Sequence, residues 1–437
     1  MISPPAHAAC GHASVLGCAR ATAIGLSRGY AVGVVGSWLL DCLVPLAKGK
    51  LGPSRAVAKF AARATQRTGL FLALYAAVFR AALCALRSAR GRHAGVDGLN
   101  QGVAGCVAGL AAVVEDRKRR SALALYLFTR SFYLYLRSLG RRGLVPSLGA
   151  GGDVLLNGLA SSAIIHSFLR HADVLESDYL RFLVHQGAIP KPMLYVVAAT
   201  IDGRKAPIDN ATARGFLRES ALVRTEVAAG GGDPDDDGAL ASTFHAMDRG
   251  KALCVLAHNG DSSCAVGMSR FGVHAIRRAL GLYIPFYLVA TGIFRTRSLI
   301  SRPLDTLRHL VASVLRSTAF LSSYTTISWA IPCALRSLLG ETHEIFYWLN
   351  GFAAGCMAVW EHTGRRSELA LYLLPKALSA LYNQAVAART IPRLRNGEVG
   401  LFAAGSAVLA YLHRQYPDDV GGNIRSVLVR VLGDPEE

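Results

Sequence analysis

Charge is scarce in this sequence, and acid scarcest: 437 residues hold 29 aspartates and glutamates against 48 lysines and arginines, 18% charged in all. Soluble domains carry roughly 25%. With 52% apolar residues before the 44 glycines are added, and a mean hydropathy of +0.31, the deficit argues against an ordinary water-soluble chain and for a membrane protein. The nine cysteines contain no C-x-x-C pair and scatter over apolar stretches, which speaks against a disulfide framework; Cys42, Cys84, Cys106, Cys333 and Cys356 read as small buried hydrophobes. No nucleophile, base and orienting group fall in a recognisable order, so no enzyme and no cofactor are expected. The opening MISPPAHAACGHASVLGC has no basic stretch followed by a clean apolar run, so no secretory signal is expected. The net charge of +19 comes without an aromatic-studded basic surface or a nucleic-acid motif. Its cations cluster between apolar runs, where they would meet lipid headgroups, so the expected partner is a bilayer and not nucleic acid.

What is present is written twice. Gly105 to Leu127 and Gly351 to Leu373 match at 14 of 23 positions with no gap. Chance gives only a few such matches, and internal repeats take precedence over every other signal. Cys84 to Ser88 recurs as Cys333 to Ser337, Gly152-Asp153-Val154 corresponds to Gly397-Glu398-Val399, and Ser161 matches Ser406. The predicted fold is all-α: a polytopic membrane protein of two homologous helical repeats, residues 1–187 and 250–432, joined by a polar linker over 188–249. Some helix is expected around Thr212 to Ala229, beside the GGGDPDDDG run. Each match spans a small-residue helix, an acid-plus-basic turn and an apolar LALYL run, the pattern of two tightly packed membrane helices joined by a charged hairpin.

Candidate spans in the first half are Gly29 to Leu46, Thr68 to Leu86, Gly98 to Val114, Ser121 to Leu139 and Val154 to Leu169. Their counterparts are Leu280 to Phe294, Thr318 to Leu335, Ile345 to Trp360, Ser367 to Tyr382 and Val399 to Leu412. Several are shorter than the roughly 20 residues a crossing needs, which leaves tilted, half-spanning or interfacial placements open. A large soluble helical protein is the competing reading, but segments such as GLFLALYAAVFRAALCAL lack the polar face of a surface helix.

Four sets of residues stand out. Gly105 with Gly109, and Gly351 with Gly355, lie four apart on one helix face and let a second helix approach closely. Arg130 and Lys376 occupy equivalent places inside apolar runs, where a cation is costly unless paired, snorkelling or facing water. Asp153 and Glu398 form a matching acidic pair; helix N-terminal carboxylates stabilised by free N–H groups are the structural reading, a substrate role the functional one. Cys10, His12 and Cys18, and again Cys254, His258 and Cys264, offer three soft-metal ligands per half, where a structural zinc needs four. Asp233, Asp235, Asp237 and Gly238 open like a calcium loop but meet Phe244 where a bidentate Glu is required.

Together these segments resemble the transmembrane protein 135 family. The resemblance rests on ExxxRRSxLALYL in both halves, GGDVLLNGLASS, LGLYIPFYLVATGIFR and the amino-terminal Cys-Gly-His cluster, which is shorter here than in that family and lacks its aromatic residues. The glycine-rich pairs are similar, more distantly, to the mitochondrial import-channel and peroxisomal membrane protein superfamily. The resemblance implies a multi-pass mitochondrial or peroxisomal membrane protein acting in organelle organisation and lipid homeostasis, without catalytic activity, with lipids or organelle-division proteins as partners. A solute or lipid transporter built from duplicated halves is the alternative.

Overall fold

Runs rich in alanine, leucine and arginine, all strong helix formers, should give helices throughout. A computed structural model of the protein describes residues 15–47, 52–90, 94–146, 151–189, 191–201, 211–248, 252, 255, 263–294, 296–339 and 343–432, and every regular element among them is a helix. In chain order these are α1 (Val15–Ala47), α2 (Pro53–Phe60), α3 (Arg63–Arg90), α4 (Ala94–Gly109), α5 (Arg117–Arg141), α6 (Gly152–Arg170), α7 (Ser177–Gly187), α8 (Lys191–Ile201), α9 (Ala211–Glu219), α10 (Ala221–Ala229) and α11 (Asp237–Ala246). Then follow α12 (Cys264–Phe294), α13 (Thr296–Ser301), α14 (Pro303–Leu339), α15 (Ile345–Cys356), α16 (Thr363–Ala387), α17 (Gly397–Gln415) and α18 (Gly422–Leu432). Both α4 and α15 tighten into 3-10 turns at their ends, Leu110–Val114 and Met357–Trp360.

The chain divides into two units that cut across the repeat boundaries: Met1–Ser147 with Arg393–Glu437, and Leu148–Pro392. In the first unit α1 runs along α3, while α4 and α5 both pack on α17. Phe402 of α17 meets Phe71 and Tyr75 of α3 edge-on, at 5.4 and 6.1 Å between ring centroids. Such pairs add about 0.5–1.5 kcal/mol each beyond the area they bury. In the second unit α12 runs along α14, while α15 and α16 both pack on α6. Each unit thus takes its central helix from the other sequence half: α6 is written in the first copy and α17 in the second.

That arrangement corrects the hairpin expected from the duplicated segment. The helices on either side of the turn do not make their main contacts with one another; a third helix receives both. The linker is corrected too. Residues 188–249 carry α8 to α11, and Met193, Leu194, Val196, Leu217, Val223 and Leu240 are buried in the core of the second unit. The acidic run folds because Asp236 caps α11, accepting from the Gly238 and Ala239 N–H groups at 3.3 and 2.9 Å.

Among the described residues two helices, Arg63–Arg90 and Asp97–Val114, are long and apolar enough to cross a membrane, and Ile345–Trp360 is a shorter apolar helix. Charge interrupts one of the remaining candidate spans, Ser121 to Leu139, where Arg130 and Arg137 lie within α5.

A buried ion cluster ties the first unit together. Asp97 of α4 is fully buried and accepts from Arg87 of α3 through both oxygens, at 2.7 and 3.0 Å, and from Arg414 Nε of α17 at 2.8 Å. Three helices therefore converge on one carboxylate.

Candidate functional site

The duplicated glycines stand where two backbones meet. A Cβ built on Gly109 would lie 2.5 Å from the Cα of Ala403, and one on Gly105 2.7 Å from the Ser406 carbonyl oxygen. In the second unit a Cβ on Gly355 would lie 2.7 Å from the Cα of Gly158, and one on Gly351 2.6 Å from the Ser161 carbonyl oxygen. Both glycine pairs meet corresponding residues of their receiving helices, since Ser406 matches Ser161 and Ala403 matches Gly158. Gly29 and Gly33 carry α1 against α3 in the same way, with Leu72 O and Thr68 O at 2.5 and 2.7 Å from Cβ atoms built on them, while Gly25, one turn earlier, faces the Arg80 side chain. The four-residue spacing of those glycines was present in the sequence and would have found them.

Beside each pair lies the turn E-x-x-x-R-R, which folds inward. In the first unit Glu115, 4% exposed, accepts a 2.8 Å hydrogen bond from the Thr68 hydroxyl. Arg119 donates to the same hydroxyl at 3.4 Å and to Ser37 at 3.3 Å, and pairs with Asp41 of α1 at 3.3 Å. In the second unit Glu361, 3% exposed, accepts from the Ser317 hydroxyl at 2.5 Å. Arg365 donates to that hydroxyl at 2.8 Å, and the Tyr287 hydroxyl lies 2.9 Å from it. The Arg365 guanidinium lies 5.1 Å from the Tyr287 ring centroid, a cation–π contact.

The two nodes have the same plan: a carboxylate from the turn, a hydroxyl from α3 or α14, an arginine one helical turn on, and a group from α1 or α12 that differs, Asp41 in one and Tyr287 in the other. The next arginine caps the preceding 3-10 turn in both, Arg120 to Val113 O at 3.2 Å and Arg366 to Val359 O at 2.6 Å. Sequence reasoning saw the charged turn but placed it at a surface. Thr68 and Ser317 escaped it because they stand at the offset of 249 that separates the upstream matches, whereas the turn repeats at 246.

Burial pushes the Glu361 carboxyl above the ordinary carboxylate range, and the hydrogen bond from Ser317 only partly offsets it. A raised folded value means stability that is full below about pH 4.3, the ordinary glutamate value, and is lost as pH rises through the raised value. We therefore expect Glu361→Gln, which still accepts from Ser317, to flatten the acid-to-neutral slope of thermal stability. An unchanged slope in denaturation at stepped pH would refute this.

The other residues singled out in the sequence lie apart. Glu398, in the first turn of α17, pairs with Arg120 at 2.7 Å and with Arg117 at 3.9 Å. Burial works against its ionisation, yet the backbone N–H of its own turn and Arg120 together hold its carboxyl below the ordinary range. Asp153, its counterpart, is half-buried in the first turn of α6, and its carbonyl accepts from Asn157 at 3.1 Å. Lys376 pairs with Glu176, its ammonium 5.8 Å from the Tyr179 ring centroid. Arg130 is half-buried in α5. The structure brings none of these four to the nodes except Glu398, through the neighbouring Arg120.

Of the six proposed metal ligands, Cys10, His12, Cys254 and His258 lie outside the described residues; Cys18 is half-buried and Cys264 exposed. Among the described residues no group of three His, Cys, Asp or Glu side chains is placed to hold a metal.

No solved structure matches the chain. The N-terminal cysteine-rich region of Transmembrane protein 135 matches residues 253–386, a stretch that begins at the second Cys–His set and includes Ser317, Glu361 and Arg365. The region so described in that family thus falls on the second half of this chain and not on its first residues. By this match, and by the E-x-x-x-R-R turn that it contains, residues 253–386 of the chain are similar to the transmembrane protein 135 family.

Proposed function

We propose that this is a multi-pass membrane protein of mitochondria or peroxisomes, built from two homologous repeats and acting in organelle organisation and lipid homeostasis. One observation carries the membrane reading. Leu99, Val103, Val107, Leu110 and Val113 form an exposed row along the whole of α4 and its 3-10 turn, while Ala104, Ala108 and Ala112 on the opposite face are buried. A water-facing helix would expose polar side chains and bury large apolar ones. Here the large side chains face outward and the small ones make the contact, as in a helix packed within a bilayer. Leu304, Leu307, Val311 and Leu315 repeat the pattern as an exposed row along α14.

Imaging of a tagged full chain, with alkaline carbonate extraction of membranes, tests this reading. We expect the protein to stay with mitochondrial or peroxisomal membranes; release by carbonate would overturn it. Loss of the gene should alter organelle morphology and lipid content if the role is in organisation.

A second reading, a solute or lipid transporter, is supported by Arg130 and Lys376 at equivalent places inside apolar runs, since intramembrane ionisable groups commonly mark pathways. Arg130→Met combined with Lys376→Met separates the two. Full rescue of morphology and lipid content by the double variant would leave no pathway role for these cations, whereas loss of rescue with normal targeting would favour transport.

A further inference from the structure

The two units share a plan but not a surface. At the end of the first unit that holds the Glu115 node, the acids turn inward: Glu115 on Thr68, Asp41 on Arg119 and Glu398 on Arg120. Asp116 is spent capping α5, accepting from the Lys118 N–H at 3.3 Å. The exposed groups left around them are cations, among them Arg63, Arg67, Arg117, Lys118, Arg393 and Arg395. Four of these have uncharged counterparts in the other copy: Thr363 and Gly364 stand for Arg117 and Lys118, and Leu148 and Ala150 for Arg393 and Arg395, whereas Arg67 is matched by Arg316. The shared architecture therefore does not require those four charges.

Next to them lies α2, an amphipathic helix with its charged side at Arg55 and Lys59 and its apolar side at Val57 and Phe60, which are 69% and 45% exposed. Trp38 anchors it from α1, donating its indole N–H to Ala56 O at 2.8 Å and meeting the Phe60 ring edge-on at 6.1 Å. Lys59 reaches back to the Asp41 carbonyl at 2.7 Å, which fixes the helix beside the node. A short basic amphipathic helix with exposed apolar residues and a tryptophan at its root has the composition of a segment lying in the headgroup plane.

We propose that this end of the first unit is a binding surface for anionic phospholipid headgroups. Arg117, Lys118, Arg393 and Arg395 engage the phosphates, while Val57 and Phe60 enter the acyl boundary. The proposal rests on the membrane reading above and adds to it a preference among lipids and a difference between the two ends of the duplication. Juxtamembrane cations attract anionic lipid in proportion to their number, and the attraction is screened by salt.

The test uses the full chain, purified in neutral detergent and delipidated, titrated with fluorescent-tailed phosphatidylglycerol or phosphatidylcholine of the same chain length. We expect about tenfold tighter binding of the anionic lipid, weakening as salt is raised. Replacing Arg117, Lys118, Arg393 and Arg395 together by Gln should bring the two lipids to parity. A control variant with Arg214, Arg277, Arg302 and Arg308 changed to Gln should keep the preference. Equal binding of both lipids by the native chain, an undiminished preference in the first variant, or displacement of the lipid by equimolar inorganic phosphate would each overturn the proposal. A chain that stays soluble without detergent would instead overturn the membrane reading, so the two failures are distinguishable.

Discussion

Gly109→Leu and Gly355→Leu are each expected to prevent normal assembly of the unit that contains them. Even a methyl group at Gly109 would lie 2.5 Å from the Cα of Ala403, and at Gly355 it would lie 2.5 Å from the Asn157 carbonyl oxygen. Neither obstacle is the mobile tip of a side chain, so the helices themselves must separate. Overpacking in a close-packed core costs about 1–3 kcal/mol where side chains can yield, and a backbone obstacle should exceed the upper figure. Separation would also pull Glu115 or Glu361 out of register with its hydroxyl, because the turn that carries the carboxylate follows directly on the glycine helix. The check is detergent-extracted thermal stability with size-exclusion behaviour. Leucine variants that melt and elute like the native chain would show that these faces do not bear the packing described. Gly36, which has open space around its Cα, is the control: Gly36→Ala should be tolerated.

The second large effect concerns Asp97. Arg87 and Arg414 both direct guanidinium groups onto its carboxylate, which is wholly buried. Breaking a buried ion pair from one side leaves uncompensated charge and costs about 3–5 kcal/mol. Asp97→Ala should therefore destabilise the first unit severely, since it strands two cations at the meeting of α3, α4 and α17. Adding Arg87→Met to it should recover part of the loss, because replacing charges together is far less costly than removing one partner. A double-mutant cycle read by thermal denaturation measures the coupling, and simple additivity of the two changes would contradict the cluster described here.

Much of this was legible in the amino-acid order. Composition fixes the class, since a chain this poor in acids and rich in alanine, leucine and glycine has little choice but apolar helices. The gapless match of Gly105–Leu127 with Gly351–Leu373 is also a matter of sequence alone, and the same succession of helix, 3-10 turn, cap and helix appears at both places, with Asp116 and His362 as the equivalent caps. Glycines spaced four apart mark a close face wherever they occur, because a missing side chain is a local property.

What the linear order could not decide is which copy each helix serves. Because α6 and α17 match in sequence, each presents a similar small-residue face, and either could fill the groove beside α4 or the one beside α15; pattern alone is degenerate between them. Only the folded chain settles that α17 receives the first glycine pair and α6 the second. The same degeneracy hid the nodes. A run of acid and arginine reads as a solvated hairpin until a hydroxyl from a distant helix is seen to reach it, and burial of a carboxylate depends on groups brought together across 47 residues at Thr68–Glu115 and 44 at Ser317–Glu361. The residues of 188–249 were polar enough to read as a linker, yet a few apolar side chains at helical spacing, Leu217, Val223 and Val227 among them, found a core to enter. Local chemistry determines the helices and their glycine faces; which faces meet, and which charges are buried between them, is decided by long-range packing, where the free energy depends on partners that no local pattern names.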